Sequence, residues 1–319
     1  MSEKSNVKPI TEQSIREAAL LLREAKLVSF PTETVYGLGA DATNDVAVAK
    51  IFEAKGRPSF NPLIVHVPSI EIAKSLVKFN DTALKIAAAF WPGPLTMVLP
   101  RRDNCPISRL ASAGLDTLAV RIPSTASARR LLEETERPVA APSANPSGQI
   151  SPTSAQHVAQ GLGSKVALIL DGGDCAVGVE STVISTTGGV ITILRPGGVT
   201  DEDLAPYSQH PVQFAGEDSS ITSPGMLLSH YAPDCPVRLM ATDKKEGEAF
   251  VGFGPGTAEF ETTNLSASAD LREATARLFS LMHDLNKNQY KAIAFAPIPN
   301  SGLGVAINDR LKRAAAPRG

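Results

Sequence analysis

Through roughly the first 200 residues, apolar positions come in short blocks whose period switches between that of a helix and that of a strand. Residues 14–25, SIREAALLLREA, repeat apolar side chains at helical spacing, and LVSF at 27–30 then reads as a buried strand. DVAVAKIFEA at 45–54 predicts a second helix with Asn44 as N-cap, stopped at KGRP because Pro58 forbids continuation. PLIVHV is the next strand. EIAKSLVKF and TALKIAAAFW predict helices, the latter capped by Asp81. LTMVLP and TLAVRIP read as strands, SARRLLEET as a helix, and a further helix opens near Ser154. LILDGG, STVIST and VITILR close the region with β-rich sequence. Crossover helices mixed with hairpin-like pairs imply an α/β fold on a mixed sheet.

From about 200 to 235 the rhythm breaks into polar sequence rich in Pro, Gly and Ser, a linker by composition. Beyond it PVRLM, AFVGFG, a helix across 270–286, the strand KAIAFAPI and a last helix predict a smaller α/β domain. The expected division is therefore a main domain over 1–204, a linker over 205–235 and a small domain over 236–319.

Composition narrows the function classes. The 31 basic and 33 acidic residues give a formal net charge of −2, against the basic excess of a protein coated in nucleic acid. A local cationic pocket remains compatible with that balance. Cys105, Cys175 and Cys235 are too scattered for a disulfide framework and form no CxxC pair, which fits a reducing cytosol and no zinc site. No secretory leader and no apolar run of membrane-spanning length is visible, so a cytoplasmic protein is expected.

The familiar chemical signatures are absent: no GxxxxGK[ST] phosphate loop, no HExxH and no GxSxG. Gly37-Leu-Gly39-Ala-Asp-Ala42 matches a dinucleotide fingerprint, but no acidic ribose partner ends a second strand. Four polar loops at strand edges stand out instead. FPTETVYGLGA offers Thr32, Glu33, Thr34 and Tyr36, either to a small polar ligand or to turn chemistry. In KGRPSFN, Lys55 and Arg57 are either a rigid cationic wall or an ordinary basic helix end. Arg121 interrupts an apolar strand, where its charge needs an internal partner or a ligand. PVAAPSANPSGQISPTS is a loop of small residues whose backbone N–H groups could approach an anion closely. GVEST and ILRPGG add Glu180, Ser181, Thr182 and Arg195. Together these loops supply isolated cations, hydroxyls and an asparagine, but no nucleophile with a convincing base. That inventory suits positioning and charge neutralisation of a polyphosphate more than covalent catalysis.

PTETVYGLG, KGRPSFNPLIVHV, WPGPLT, AVRIP, PSANPSG, VESTV and LRPG, in this order, resemble the YrdC-like domain of threonylcarbamoyl-AMP synthases over roughly residues 10–200. SPGMLLSHYAP and the small domain after it resemble the longer, two-domain members. The resemblance implies a YrdC-like twisted mixed sheet with flanking helices and a Rossmann-like C-terminal α/β domain. It also implies a reaction in which L-threonine, bicarbonate and ATP give threonylcarbamoyl-AMP and pyrophosphate, with Mg²⁺ as cofactor. The product would pass to tRNA threonylcarbamoyl-transferase proteins, with no membrane and no stable nucleic-acid binding by this chain.

By the same resemblance, Lys55 and Arg57 are the catalytic candidates and, with Ser143 and Asn145, form a nucleotide-binding tetrad. Asn61, Thr117, Ser151, Arg195 and Tyr231 fall at further ATP positions. Thr34, His66, Arg121, Ala141 and Ser181 fall at threonine positions, Arg121 taking the carboxylate and Ala141 acting through its backbone. No protein metal ligand is assigned. Many relatives carry basic or aromatic residues where this chain has Leu227, Leu228 and Ser229, which weakens the case for phosphate contacts from that segment. The competing readings are a non-catalytic double-stranded RNA or tRNA-binding module, and a carbamoyl-transfer maturation domain without its usual zinc-finger and acylphosphatase-like regions.

Overall fold

The computed structural model describes residues 6–216, 229–256, 259 and 261–317. Leu227 and Leu228 lie outside the described residues. β1 (Val7–Pro9) leads into α1 (Glu12–Arg23), where the Thr11 hydroxyl accepts from the Ser14 N–H and the Ser14 hydroxyl accepts from the Thr11 N–H. This reciprocal cap starts the helix two residues before the predicted one. β2 (Val28–Phe30) then pairs antiparallel with β3 (Gly37–Asp41). β3 is the glycine-rich stretch that matched a dinucleotide fingerprint, and it is a strand rather than a phosphate loop. Its glycines serve packing: a Cβ on Gly39 would sit 2.9 Å from the Phe30 ring.

α2 (Asp45–Lys55) is capped by Asn44, whose side chain accepts from the Val46 and Ala47 N–H groups. Gly56 closes it in the left-handed conformation, as the KGRP stop requires. β4 (Ile64–His66), α3 (Ile70–Leu76) and α4 (Asp81–Phe90) follow. The cap of α4 is Asn80 and not Asp81. The Asn80 oxygen accepts from the Ala83 N–H while its amide donates to the Thr186 carbonyl, a double tie a carboxylate could not make.

β5 (Leu95–Pro100), β6 (Thr117–Arg121), α5 (Ala126–Thr135), β7 (Val139–Ala140), α6 (Ala155–Gly161), β8 (Leu168–Asp171), β9 (Thr182–Ser185), β10 (Thr192–Arg195), α7 (Asp201–Leu204) and β11 (Gln213–Phe214) complete the first unit. Among the described residues eleven strands form one mixed sheet, in the order β1-β8-β2-β3-β7-β4-β6-β5-β9-β10-β11. Ile15, Ala18 and Leu22 of α1 pack with Leu131 and Leu132 of α5 on Val28, Phe30 and Val139. Val48, Ile51, Ala87 and Val158, from α2, α4 and α6, cluster with Leu38, Val65 and Val120 in a separate core. The expected linker is not free throughout, because β11 pairs parallel with β10.

β12 (Val237–Arg238), β13 (Glu248–Gly252), β14 (Thr263–Asn264) and β15 (Ala292–Phe295) form a second, wholly parallel sheet in the order β12-β15-β13-β14. α8 (Leu271–Asn286) and α9 (Leu303–Ala315) pack together with it through Leu278, Phe279, Met282, Ile307 and Leu311. Val35, Ile150 and Val179 of the first unit belong to this same apolar cluster, so the second core is shared across the boundary. No helix among the described residues is long and apolar enough to cross a membrane.

Two sheet features place the site. β4 and β6 run parallel with His66 opposite Arg121, so both side chains arise at the carboxyl ends of their strands. Gly178 then lets α8 approach, since a Cβ there would lie 2.4 Å from the Ala276 carbonyl oxygen at φ +78°. Gly178→Ala should therefore cost more than the ~1–2 kcal/mol of left-handed strain alone. Gly188→Ala, at φ +65° with nothing within 4 Å of the new Cβ, should show only the strain. Urea unfolding of the two variants checks this; equal losses would mean that the contact with α8 gives way freely.

Candidate active site

Thr32, Thr34, Arg57, His66, Arg121, Ala141, Ser143, Glu180, Ser181, Arg195, His230 and Tyr231 line a single pocket at the strand ends. On one side, Arg121 donates from Nε to the Gly93 carbonyl (3.3 Å), from one terminal nitrogen to Thr34 Oγ1 (2.9 Å) and from the other to Glu33 Oε1 (2.6 Å). The internal salt bridge left open by the sequence thus exists, and Arg121 still faces the pocket. Three of its five N–H donors are engaged. Glu33 Oε2 accepts from the Ser124 N–H at 3.0 Å. Burial alone would raise the Glu33 carboxyl, but the Arg121 charge and these hydrogen bonds outweigh it and hold the group below its usual range. His66 stands edge-on to the Phe30 ring at 6.2 Å. Burial first, then the Arg121 charge, push its pKa down to about 3.

On the other side sit the remaining cations. Arg57 donates from Nε to the Asn61 carbonyl (3.3 Å) and from a terminal nitrogen to the Pro62 carbonyl (3.0 Å). Arg195 straddles Ser181, reaching its carbonyl at 2.8 Å and its hydroxyl at 3.2 Å. The Ser181 hydroxyl also meets Thr96 Oγ1 at 2.8 Å. Lys55 does not line the pocket: its ammonium braces the PSAN loop by donating to the Ser143 carbonyl (2.6 Å) and the Asn145 carbonyl. Burial, then the neighbouring Arg57 charge, hold this lysine well below its ordinary pKa. The cations are thus solvated by backbone carbonyls, which fix their positions without cancelling their charge.

Several predicted residues sit behind the lining or have their expected group already engaged. Ser151 donates to Glu180 Oε1 at 2.5 Å. The Ala141 N–H is used by the Ile64 carbonyl. Thr117 begins β6, at the far end of that strand from Arg121, and is not among the lining residues. Asn145 lies on a neighbouring cleft with His157 and His283. Tyr36 faces away, bonded to Gly172 and Gly173. Two residues without an assigned role from sequence prove central. Glu180 is the carboxylate among the lining residues, and Arg310, fully buried in α9, donates to its Oε2 at 2.8 Å. Arg310 shares a helical stripe with Ile307, Leu311 and Ala314, and a charge on an apolar stripe was the available signal.

Both side-chain polar atoms of Asn61, Asn145 Oδ1, His66 Nδ1 and His230 Nδ1 are buried without a hydrogen-bond partner. Orphaned polar atoms in such numbers are rare in a finished core and mark a place for a ligand. The cavity itself is about 40 Å³, enough for a few waters and far short of a nucleotide. Tyr231 and His230 both line it, with Tyr231 only 1% exposed.

Residues 20–197 match the Sua5/YciO/YrdC family model, described as Telomere recombination. Residues 199–316 match the model described as Threonylcarbamoyl-AMP synthase, C-terminal domain. A threonylcarbamoyl-AMP synthase of Pyrococcus abyssi is 42% identical over 327 residues, covering 96% of this chain and 95% of the relative. One of Bacillus subtilis is 39% identical over 329 residues, covering 96% and 94%. The crystal structure of P. abyssi Sua5 complexed with L-threonine matches with a TM-score of 0.88 at 39% identity, covering 97% of this chain and 96% of that one. Fold and matched regions define a YrdC-like protein that carries an additional C-terminal domain. The chain belongs to the threonylcarbamoyl-AMP synthase family, in its long two-domain form.

Neutral buried histidines make the fold sensitive to acid. Burial holds His66 and His230 near 3 and His283 near 4, against about 6.5 in the unfolded chain. The unfolded state takes up these protons first, so the stability they contribute is complete above about pH 6.5 and is lost as pH falls toward 4. Each site can steepen the curve by up to about 1.4 kcal/mol per pH unit, so the three together can remove on the order of 6 kcal/mol between pH 7 and 5. Urea unfolding across that range reads it. His66→Gln should flatten the profile, and an unchanged slope would mean that this ring is already protonated in the folded protein.

Proposed function

We propose that this chain is an L-threonylcarbamoyladenylate synthase, a nucleotidyltransferase that supplies the tRNA threonylcarbamoyladenosine modification. The observation that carries the reading is the surplus of buried positive charge. Lys55, Arg57, Arg121, Arg195 and Arg310 are all under 9% exposed, and among the described residues only three carboxylates, Glu33, Glu180 and Asp309, face them. Unpaired charge in a poorly hydrated site is expensive, and an anion that supplies the missing negative charge is bound strongly there. The triphosphate of ATP is such an anion; the orphaned Asn61 NH₂ suits a phosphate or ribose oxygen, and the orphaned Asn145 Oδ1 can accept from a nucleoside donor. A double-stranded RNA-binding module would need its cations on an open face, whereas these are inside.

Threonine binds on the Thr34, His66, Arg121 and Ser181 side. The two N–H groups left on Arg121 meet its carboxylate, and the paired Glu33 keeps the guanidinium fixed. The threonine amine adds to bicarbonate with loss of water, giving a carbamate. A carbamate oxygen attacks the α-phosphorus, and the bond to pyrophosphate breaks. Arg57 and Arg195 stabilise the charge that develops on the leaving group, while Lys55 holds the Ser143–Asn145 loop against it. Proximity and preorganised charge supply the acceleration, with no covalent enzyme intermediate. Among the described residues no group of three or more His, Cys, Asp or Glu is arranged to hold a metal. Mg²⁺ would enter with the ATP substrate, whose phosphate oxygens supply ligands of the kind it prefers. The product passes to the proteins that transfer the threonylcarbamoyl group in the cytoplasm.

Pyrophosphate release should require threonine and bicarbonate together; release without either, or none at all, overturns the assignment. Arg57→Ala should lower that rate by about 10²-fold, the scale of losing one preorganised charge-stabilising donor. Steady-state pyrophosphate assays read both effects.

A further inference from the structure

Glu180 is a carboxylate in a pocket that has to receive phosphates. Burial would raise its pKa, but the charges of Arg310 and Arg195 and the Ser151 hydrogen bond bring it down to about 2, so it stays ionised. Left to itself, such a carboxylate would compete with a triphosphate for Arg195. The structure provides a cation for it from the other domain. Arg310 Nε reaches Glu180 Oε2 at 2.8 Å, and Arg310 is held from behind by Asp309 at 2.6 Å. The same guanidinium carbon lies 5.2 Å from the centroid of the Tyr231 ring.

Tyr231 is itself bound to both domains. Before it, the His230 N–H donates to the Arg313 carbonyl of α9 at 3.2 Å; after it, the Ala232 N–H donates to the Gly148 carbonyl at 2.9 Å. Its ring lies 5.3 Å from Phe279 of α8, and its backbone takes φ +64°, a conformation that needs such support.

We propose that Arg310 and Glu180 form a positioning pair through which the C-terminal domain completes the nucleotide pocket: Arg310 neutralises Glu180, which leaves Arg195 free for phosphate. The pair touches no reacting atom. Its role rests on the nucleotide reading above, with Ser151 and Lys55 as the other groups facing Glu180 from the first domain, His230 from the linker and Asp309 behind Arg310 from α9.

The proposal makes an asymmetric prediction. In Arg310→Met, Glu180 is left without its partner and turns to Arg195, so the KM for ATP should rise about tenfold while that for threonine changes less than about twofold. Glu180→Gln keeps an acceptor for Ser151 and removes the competing charge, so the ATP KM should stay within about threefold of wild type. The double variant Glu180→Gln/Arg310→Met should match Glu180→Gln, a rescue that a purely structural role for Arg310 would not give. An unchanged ATP KM in Arg310→Met, or a double variant as impaired as Arg310→Met, overturns the pairing. If Arg310→Met does not fold, a tenfold rise in Glu180→Gln does the same. Calorimetric binding of ATP to these variants reads the pair even if wild-type protein forms no threonine-dependent pyrophosphate, an outcome that would instead remove the synthase reading.

Discussion

Everything in this molecule is organised around cations that are buried before any anion is present. A guanidinium or ammonium removed from water loses hydration that only close partners can replace. Here the partners are mostly carbonyl oxygens: Asn61 and Pro62 for Arg57, Ser181 for Arg195, Ser143 and Asn145 for Lys55. A carbonyl is a dipole, so it orients a cation and satisfies its donors but leaves the net charge in place. Carboxylates enter at three points, Glu33 beneath Arg121 and Glu180 and Asp309 on either side of Arg310. The result is a preorganised positive field whose reorganisation is complete before a substrate arrives.

That constraint explains the architecture better than the sheet does. Strand ends supply the cations: Arg121 and Arg195 are the last residues of β6 and β10, and Arg57 follows just after α2, so all three line one pocket. A rim open to water would screen the charges and weaken them. The second domain covers it, by sharing an apolar cluster with Val35, Ile150 and Val179 and by packing Phe279 against the pocket-lining Tyr231. The small parallel sheet is thus a wall as much as a domain. Its last helix carries the only buried arginine among the described residues of that domain.

Local signals were legible where local chemistry decides the outcome. Asn44, Gly56 and Pro58 bound α2 because capping and proline sterics act over a few residues, and Ser154 caps α6 for the same reason. β3 escaped notice because two of its five residues are glycine, and its strand conformation comes from pairing with β2 and β7 rather than from propensity. Asn80 takes the cap of α4 in place of Asp81 because its amide also reaches Thr186, more than a hundred residues away. At the site, composition gave isolated cations, and only the resemblance assigned them to ATP or threonine. Neither could give the Glu180–Arg310 pairing, since it joins residues 130 positions apart in different domains.

The alternatives that the sequence left open turn out not to compete. Lys55 is a helix-terminal cation and a brace of the Ser143–Asn145 loop at once, because the end of α2 is what delivers it there. Arg121 is an internal salt bridge and a pocket wall, because Glu33 engages one edge of its guanidinium and leaves two N–H groups over. His66 is a buried histidine in a strand, yet its Nδ1 lacks a partner and the ring lines the cavity. In each case the interaction that makes the residue tolerable without ligand is the one that aims its remaining valence at the pocket. A binding site built from buried charge has no other route, because a side chain with nothing to hold it would neither stay buried nor stay aimed.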